Sequence, residues 1–188
     1  MGGTRLASTN VLTTFQIDVT RIALEELRNQ SPQGGVIQQV TSIGGQRGVP
    51  FFSLYCASKW AVEGLTEAIS HELKPEWNIK MNIIEPGGFR TDWAGRSMIF
   101  ANRKLPEYDH LNAEKSMTER NGTQAGDPAK AAEAMYEFAT MKDPPLRVVV
   151  GTDAYKAIMN KIKGYEENYK KWEGISNSTD VEGYQAPP

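Results

Sequence analysis

Apolar residues early in the chain recur as Leu12, Phe15, Val19, Ile22, Ala23 and Leu27, the spacing of one helical face. They predict a helix from Val11 to Arg28, capped by Ser8 or Thr9 and stopped by Ser31-Pro-Gln-Gly-Gly35. The period then changes. Val36-Ile-Gln-Gln-Val-Thr-Ser42 is β-branched, has glycines on both sides, and reads as a strand. Beyond a glycine-bearing loop, Ile43 to Ser53, helical spacing returns in Ala57, Ala61, Leu65, Ala68, Ile69 and Leu73. This second helix covers 54–74, and Pro75 closes it. Lys80-Met-Asn-Ile-Ile-Glu85 is a second strand, ended by Pro86-Gly-Gly88.

From Arg90 to Gly126 the chain is polar and keeps no period. A connection of that length argues for a lid or a mobile segment rather than a tight turn. Asp127 caps a third helix with Pro128 in its first turn, running to about Met141. Leu146-Arg-Val-Val-Val150 is a third strand, Asp153 to about Trp172 a last helix, and 176–188 reads as a disordered tail. Strands alternating with helices of this length imply an α/β fold, a parallel sheet of about three strands with helices on both faces.

Composition narrows the function classes. A chain of 188 residues is one domain's worth and can bury most of its apolar surface. With 39% hydrophobic and 23% charged residues it is an ordinary globular composition. The formal charge is −2 and no Lys/Arg run is present, so nothing marks a nucleic-acid partner. Cys56 is the single cysteine, which excludes an intramolecular disulfide, and His71 and His110 leave little for a metal centre. No stretch reaches the ~18 apolar residues of a membrane span. The start MGGTRLAS has no secretion-signal core, and Leu6 stands where myristoylation needs Ser or Thr. Asn121-Gly-Thr and Asn177-Ser-Thr are therefore accidental glycosylation triplets, and the expected compartment is the cytoplasm.

Candidate chemistry starts with Tyr55 and Lys59, four apart on the second helix and so on one face. A phenol is a poor acid or base near neutrality, and an adjacent ammonium lowers its pKa toward usefulness. Alone, the pair is as well read as an ordinary helical contact. Ser42 stands thirteen residues earlier, at the end of a strand, where open α/β sheets bind ligands. Alone it is a turn serine. Pro86-Gly-Gly-Phe-Arg-Thr91 follows the next strand; its glycines admit a flat ring close to the backbone, and Thr91 offers a hydroxyl. Alone it is a strand-ending turn. The three together, in this order and at strand ends, are specific.

They resemble the short-chain dehydrogenases/reductases. Ser42, Tyr55 and Lys59 in TSIGGQRGVPFFSLYCASK match that family's serine followed by Tyr-x-x-x-Lys, and PGGFRT its nicotinamide segment. The likeness continues through Asp127-Pro-Ala-Lys-Ala-Ala and Asp143-Pro-Pro-Leu-Arg-Val-Val-Val-Gly151 to about Thr179. The resemblance implies a partial Rossmann-like domain over 1–175 and reversible hydride transfer between NAD or NADP and a ketone or alcohol. It makes Tyr55 the general acid/base and Lys59 the residue that lowers its pKa and binds the nicotinamide ribose. Ser42 then polarises the carbonyl, and Asn10 is the fourth catalytic member. Pro86, Gly87 and Thr91 position the nicotinamide.

The departure is at the front. No Gly-x-x-x-Gly-x-Gly precedes the first helix, and the segments that hold adenosine and pyrophosphate have no counterpart. Two expectations follow from different classes. One is an oxidoreductase acting on a small carbonyl or alcohol substrate. The other is a catalytically impaired relative that acts as a dimerising interaction protein, pairing through the helices at 10–30 and 54–74. In either case the first strand's outer edge is open to pairing with another chain.

Trp93, Phe100 and Tyr108 in the polar segment have two readings, lining a pocket for an apolar ketone or anchoring the loop. Cys56 reads as a core filler, and Glu67 with His71 as a surface pair. Glu85 reads as structural, and Trp172 with Tyr165 and Tyr169 as helix packing.

Overall fold

The structure is a computed structural model describing residues 3–184 except 101, 103, 104 and 109, with side chains described from Thr13 onward in the first helix. Three strands, β1 (Gly35–Val40), β2 (Ile79–Pro86) and β3 (Arg147–Val150), form one parallel sheet in the order β1-β2-β3. The helices are α1 (Gly3–Asn29), α2 (Ser53–Glu72), α3 (Ala113–Arg120), α4 (Pro128–Thr140) and α5 (Thr152–Asn177).

Neighbouring residues of β1 reach opposite faces, as the pleat requires. Gln39 donates from Nε2 to the Thr20 hydroxyl of α1 at 2.6 Å, while Gln38 donates to the Met135 carbonyl of α4 at 2.9 Å. Helices therefore cover both faces, and the central strand β2 is apolar on both: Ile79, Met81, Ile83 and Ile84 are buried. Val62 of α2, Ala131 of α4, and Ala154 and Ile158 of α5 complete this core.

The helix faces differ from the expected ones. On α1, Phe15, Val19 and Ile22 are exposed, whereas Thr20 is buried and Ala23 and Leu27 are half-buried. The Leu12 side chain lies outside the described residues. On α2, Ala57, Ala61 and Ala68 are exposed and Leu65, Ile69 and Leu73 half-buried, while Cys56, Val62, Glu63 and Thr66 are buried. Hydrogen bonds decide this. Thr20 is paired with Gln39, and Glu63 with Thr41, so polar groups are buried without penalty while apolar stripes stay outside.

Element ends differ too. α1 begins at Gly3, so Ser8 and Thr9 lie within the helix rather than at its cap. β1 ends at Val40, two residues before Ser42, although the Thr41 amide still donates to Ile84 at 2.8 Å. Within 90–126 lies α3, capped by Asn112, whose Oδ1 accepts from the Lys115 amide at 2.9 Å. Only Met117 of this helix is buried, so its eight residues leave no apolar period to read. α5 runs to Asn177, supported on its exposed side by i,i+4 ion pairs such as Lys170–Glu166 at 2.6 Å.

Ile83→Ala should lower stability by about 2–5 kcal/mol, the range for truncating a fully buried side chain. Phe15→Ser on the outer face of α1 should change it by under about 0.5 kcal/mol in the monomer. Urea denaturation of both variants separates the two faces.

Candidate active site

Ser42 follows β1 in extended backbone and caps a 3-10 turn at Ile43–Gly45, its Oγ accepting from the Gly44 amide at 3.0 Å. Tyr55 lies in the first turn of α2, half-buried. A Cβ on Gly44 would come 3.0 Å from Tyr55 Cε1, so the missing side chain is what allows the phenol ring so close to the serine turn. Phe52 and Trp93 wall the ring, with centroids 6.2 and 6.0 Å from it.

The phenol is held above its ordinary value, chiefly by burial. A hydrogen bond with Ser42 acts the other way by favouring phenolate, and Cys56 adds a small push upward. Lys59, one turn along, donates from Nζ to the Val40 carbonyl at 3.1 Å, and its ammonium lies 5.9 Å from the Tyr55 ring centroid. Burial lowers its pKa and the Glu63 carboxylate raises it. In this arrangement Ser42 works against the burial of Tyr55, while the Lys59 ammonium is directed to a backbone carbonyl beside the ring.

Across the cleft, β2 and β3 run out together at Pro86 and Val150, and the Gly87 amide donates to the Val150 carbonyl at 2.8 Å. The Gly88 amide donates to Asp153 Oδ2 at 2.8 Å, and Arg120 of α3 lies 3.8 Å from that carboxylate. A Cβ at Gly87 would collide with Asp153, which explains the glycine there. Thr91 caps the turn Asp92–Ala94, with its Oγ1 accepting from the Trp93 amide at 3.3 Å. Ser42, Tyr55, Pro86, Gly87, Thr91 and Trp93 all line one cleft of about 400 Å³, completed by Phe89 and Met135.

Five sequence-chosen residues thus share one cleft: Ser42, Tyr55, Pro86, Gly87 and Thr91. Lys59 stands behind Tyr55, and the Asn10 side chain lies outside the described residues. Of the three aromatics in the polar segment, Trp93 lines the cleft, Phe100 is half-buried, and Tyr108 stacks on His110 at 6.3 Å. Sequence reasoning missed Asp153 and Arg120, which hold the Pro-Gly shelf from α5 and α3. An acid in a helix's first turn is so common that Asp153 carried no distinguishing signal. Phe52, three residues before Tyr55, was readable only as loop.

Removing the Ser42 hydroxyl takes away a bond that favours phenolate, so Ser42→Ala should raise the Tyr55 pKa further. Ultraviolet difference titration against Tyr55→Phe measures this; an unchanged or lowered value would separate the two residues.

The family model described as "short chain dehydrogenase" matches residues 4–99. An uncharacterised oxidoreductase of Schizosaccharomyces pombe is 37% identical over 161 residues, covering 85% of this chain and 54% of that protein. The crystal structure of a short-chain dehydrogenase from Streptomyces avermitilis superposes with a TM-score of 0.67 at 32% identity, covering 78% of this chain and 53% of that one. A Burkholderia phymatum short-chain dehydrogenase/reductase in complex with NAD shares the fold, with a TM-score of 0.58 at 17% identity, 84% of this chain and 53% of that one. The chain spans about half the length of the curated relatives it matches.

Proposed function

We propose that this chain, which belongs to the short-chain dehydrogenase family, carries the proton-transfer half of a dehydrogenase site acting on a ketone or secondary alcohol with NAD or NADP. The observation that carries the reading is that Ser42 and Tyr55 line one cleft together with the Pro86–Gly87 shelf. The residues present fit the nicotinamide end of a dinucleotide. Pro86, Gly87 and Thr91 line the same cleft as Ser42 and Tyr55. When bound, the nicotinamide would supply or accept the hydride.

The chain's own residues would handle the proton. Ser42 would hold the substrate oxygen, with its hydroxyl turned from its turn-capping role toward the ligand. Tyr55 would give its phenolic proton to that oxygen during reduction, or take one during oxidation. Its raised pKa suits donation, because a buried phenol keeps its proton until the acceptor oxygen becomes more basic. Lys59 would steady the developing phenolate by charge across the 5.9 Å to its ring. Phe52, Trp93 and Met135 would exclude water and favour an apolar or ring-bearing carbonyl compound.

Purified protein titrated with NADH and NADPH, followed by ketone-dependent oxidation, tests the proposal. Tyr55→Phe should keep cofactor binding and lower turnover by about 10²–10⁴-fold, the span of general acid-base catalysis. Absent binding at millimolar cofactor, or turnover indifferent to Tyr55, overturns it.

A second reading, a dimerising interaction protein, is favoured by one observation: large apolar side chains stand exposed along α1 and, at Trp60, on α2. Phe15 is 64%, Ile22 50%, Val19 48% and Trp60 42% exposed. On this reading two copies pair through these helices. Sedimentation should show a dimer that Val19→Glu and Ile22→Glu together dissociate; a wild-type monomer removes the reading.

A further inference from the structure

Behind the cleft lies a polar cluster that the proton-transfer reading leaves unused. Glu63 and Glu85 are 3% and 2% exposed. Gln46 donates from Nε2 to Glu63 Oε2 at 3.0 Å and to Glu85 Oε1 at 3.2 Å, so one amide nitrogen brings the two buried carboxyl groups together. Two carboxyl groups sharing one buried site do not both ionise readily, and the pair retains a proton. Arg147 Nε lies 3.2 Å from Glu63 and 3.7 Å from Glu85, but its Nη2 is engaged by Glu67 at 2.8 Å. One guanidinium, already shared with Glu67, does not balance two further buried anions.

Each partner sits next to a different part of the site. Glu63 is one helical turn beyond Lys59 and accepts from the Thr41 hydroxyl at 2.5 Å, and Thr41 precedes Ser42. Gln46 follows the turn that Ser42 caps. Glu85 precedes Pro86 and Gly87. A Cβ on Gly45 would fall 2.9 Å from Glu63 Oε1, so the serine turn closes directly over the carboxylate.

We propose that Glu63 and Glu85 are positioning residues that hold one proton between them and, with Arg147, lock the serine turn, the tyrosine helix and the Pro-Gly shelf in register. The proposal deepens the dehydrogenase reading and rests on it for its catalytic meaning. Glu63 takes the Thr41 and Arg147 hydrogen bonds and supports the charge of Lys59. Glu85 carries the proton, its carboxyl pushed up to about 7, first by burial and then by Glu63. The charged groups facing the pair are Arg147 from β3, Lys59 and Glu67 from α2, and Lys161 from α5, whose ammonium bonds the Gln46 carbonyl. His71 acts on the cluster only through Glu67.

The sign follows from linkage. A carboxyl held above its unfolded value binds more protons folded than unfolded. Its contribution is complete below 4.5 and is lost as pH rises through about 7.

Three measurements on the intact chain test the proposal without any turnover. Carbon-13 NMR of glutamate carboxyls should show one group titrating near neutrality in the wild type and none there in Glu85→Gln. The melting temperature should fall through that range in the wild type and stay flat in Glu85→Gln. Glu63→Gln should lower it at every pH, although the two substitutions are chemically identical. The positioning role is read at Trp93, through fluorotryptophan NMR assigned with Trp93→Phe. Its resonance should follow the neutral titration in the wild type and not in Glu85→Gln. A purely structural pair would change melting and leave that signal still. No glutamate titrating near neutrality, equal effects of the two substitutions, or a Trp93 signal blind to the titration each overturns the proposal. Failure of the dehydrogenase reading would instead appear as absent turnover with all three results intact.

Discussion

The register of β2 between its two neighbours is the constraint from which the site follows. Val40 pairs with Ile84 and Pro86 with Val150. The Thr41 amide extends the first ladder to the Ile84 carbonyl, and the Gly87 amide extends the second to Val150. Parallel strands place all their carboxyl ends at one rim, so Ser42 and the Pro86–Gly87 shelf must face each other across it. A slip by one residue would turn Ile83 and Glu85 to the other face and separate the serine from the shelf. Burial enforces the register, because Ile83 and Ile84 are fully enclosed on opposite faces of one strand.

That rim was legible in the sequence because it depends on strand ends and on special residues. Glycine at 44 and 87 and proline at 86 mark places where backbone must approach something closely, and the structure supplies the tyrosine ring and the Asp153 carboxylate as what is approached. The strands were legible as well, each within two residues of its true end. The rotation of the helices was not. A hydrophobic period locates a helix and assumes that the apolar side faces in, whereas α1 and α2 turn Thr20, Glu63 and Thr66 to the sheet. The Thr66 hydroxyl is satisfied within its own helix by the Val62 carbonyl, but Thr20 and Glu63 have partners waiting on and just beyond β1, Gln39 and Thr41. Long-range hydrogen-bond partners of this kind leave no local trace. α3 escaped for the opposite reason, having almost nothing buried to make a pattern.

The outward apolar stripes and the unpaired edge of β1 belong to one physical situation. The strand's inner edge is satisfied by β2, and Val40 at its end is 44% exposed. Among the described residues no strand lies outside β1, and an open edge beside exposed apolar side chains is poorly protected against association. The chain spans about half the length of the relatives it matches. Here the same surfaces make cofactor affinity and self-association separable questions. Ser42 and Tyr55 sit at the rim, while the exposed apolar side chains lie on the helix backs.

The polar interior also limits how the site can change. Thr20, Gln39, Thr41, Glu63, Thr66, Asn82 and Glu85 are all buried beside a modest apolar core. Their hydrogen bonds add little net stability, about 0.5–1.5 kcal/mol each, yet leaving one unmade costs about 1–3 kcal/mol. Such an interior discriminates strongly between the correct arrangement and near alternatives. Asn82 shows the logic: its amide donates to the Pro145 carbonyl at 2.5 Å while its Oδ1 accepts from Gln38 at 3.2 Å. It ties β1, β2 and the entry to β3 together on the face opposite the carboxyl pair. An apolar residue there could be buried just as well, but it would specify none of those three positions. The rim therefore owes its geometry to directional bonds as much as to packing, and the directional bonds converge on the strand ends where Ser42 and the Pro86–Gly87 shelf line one cleft.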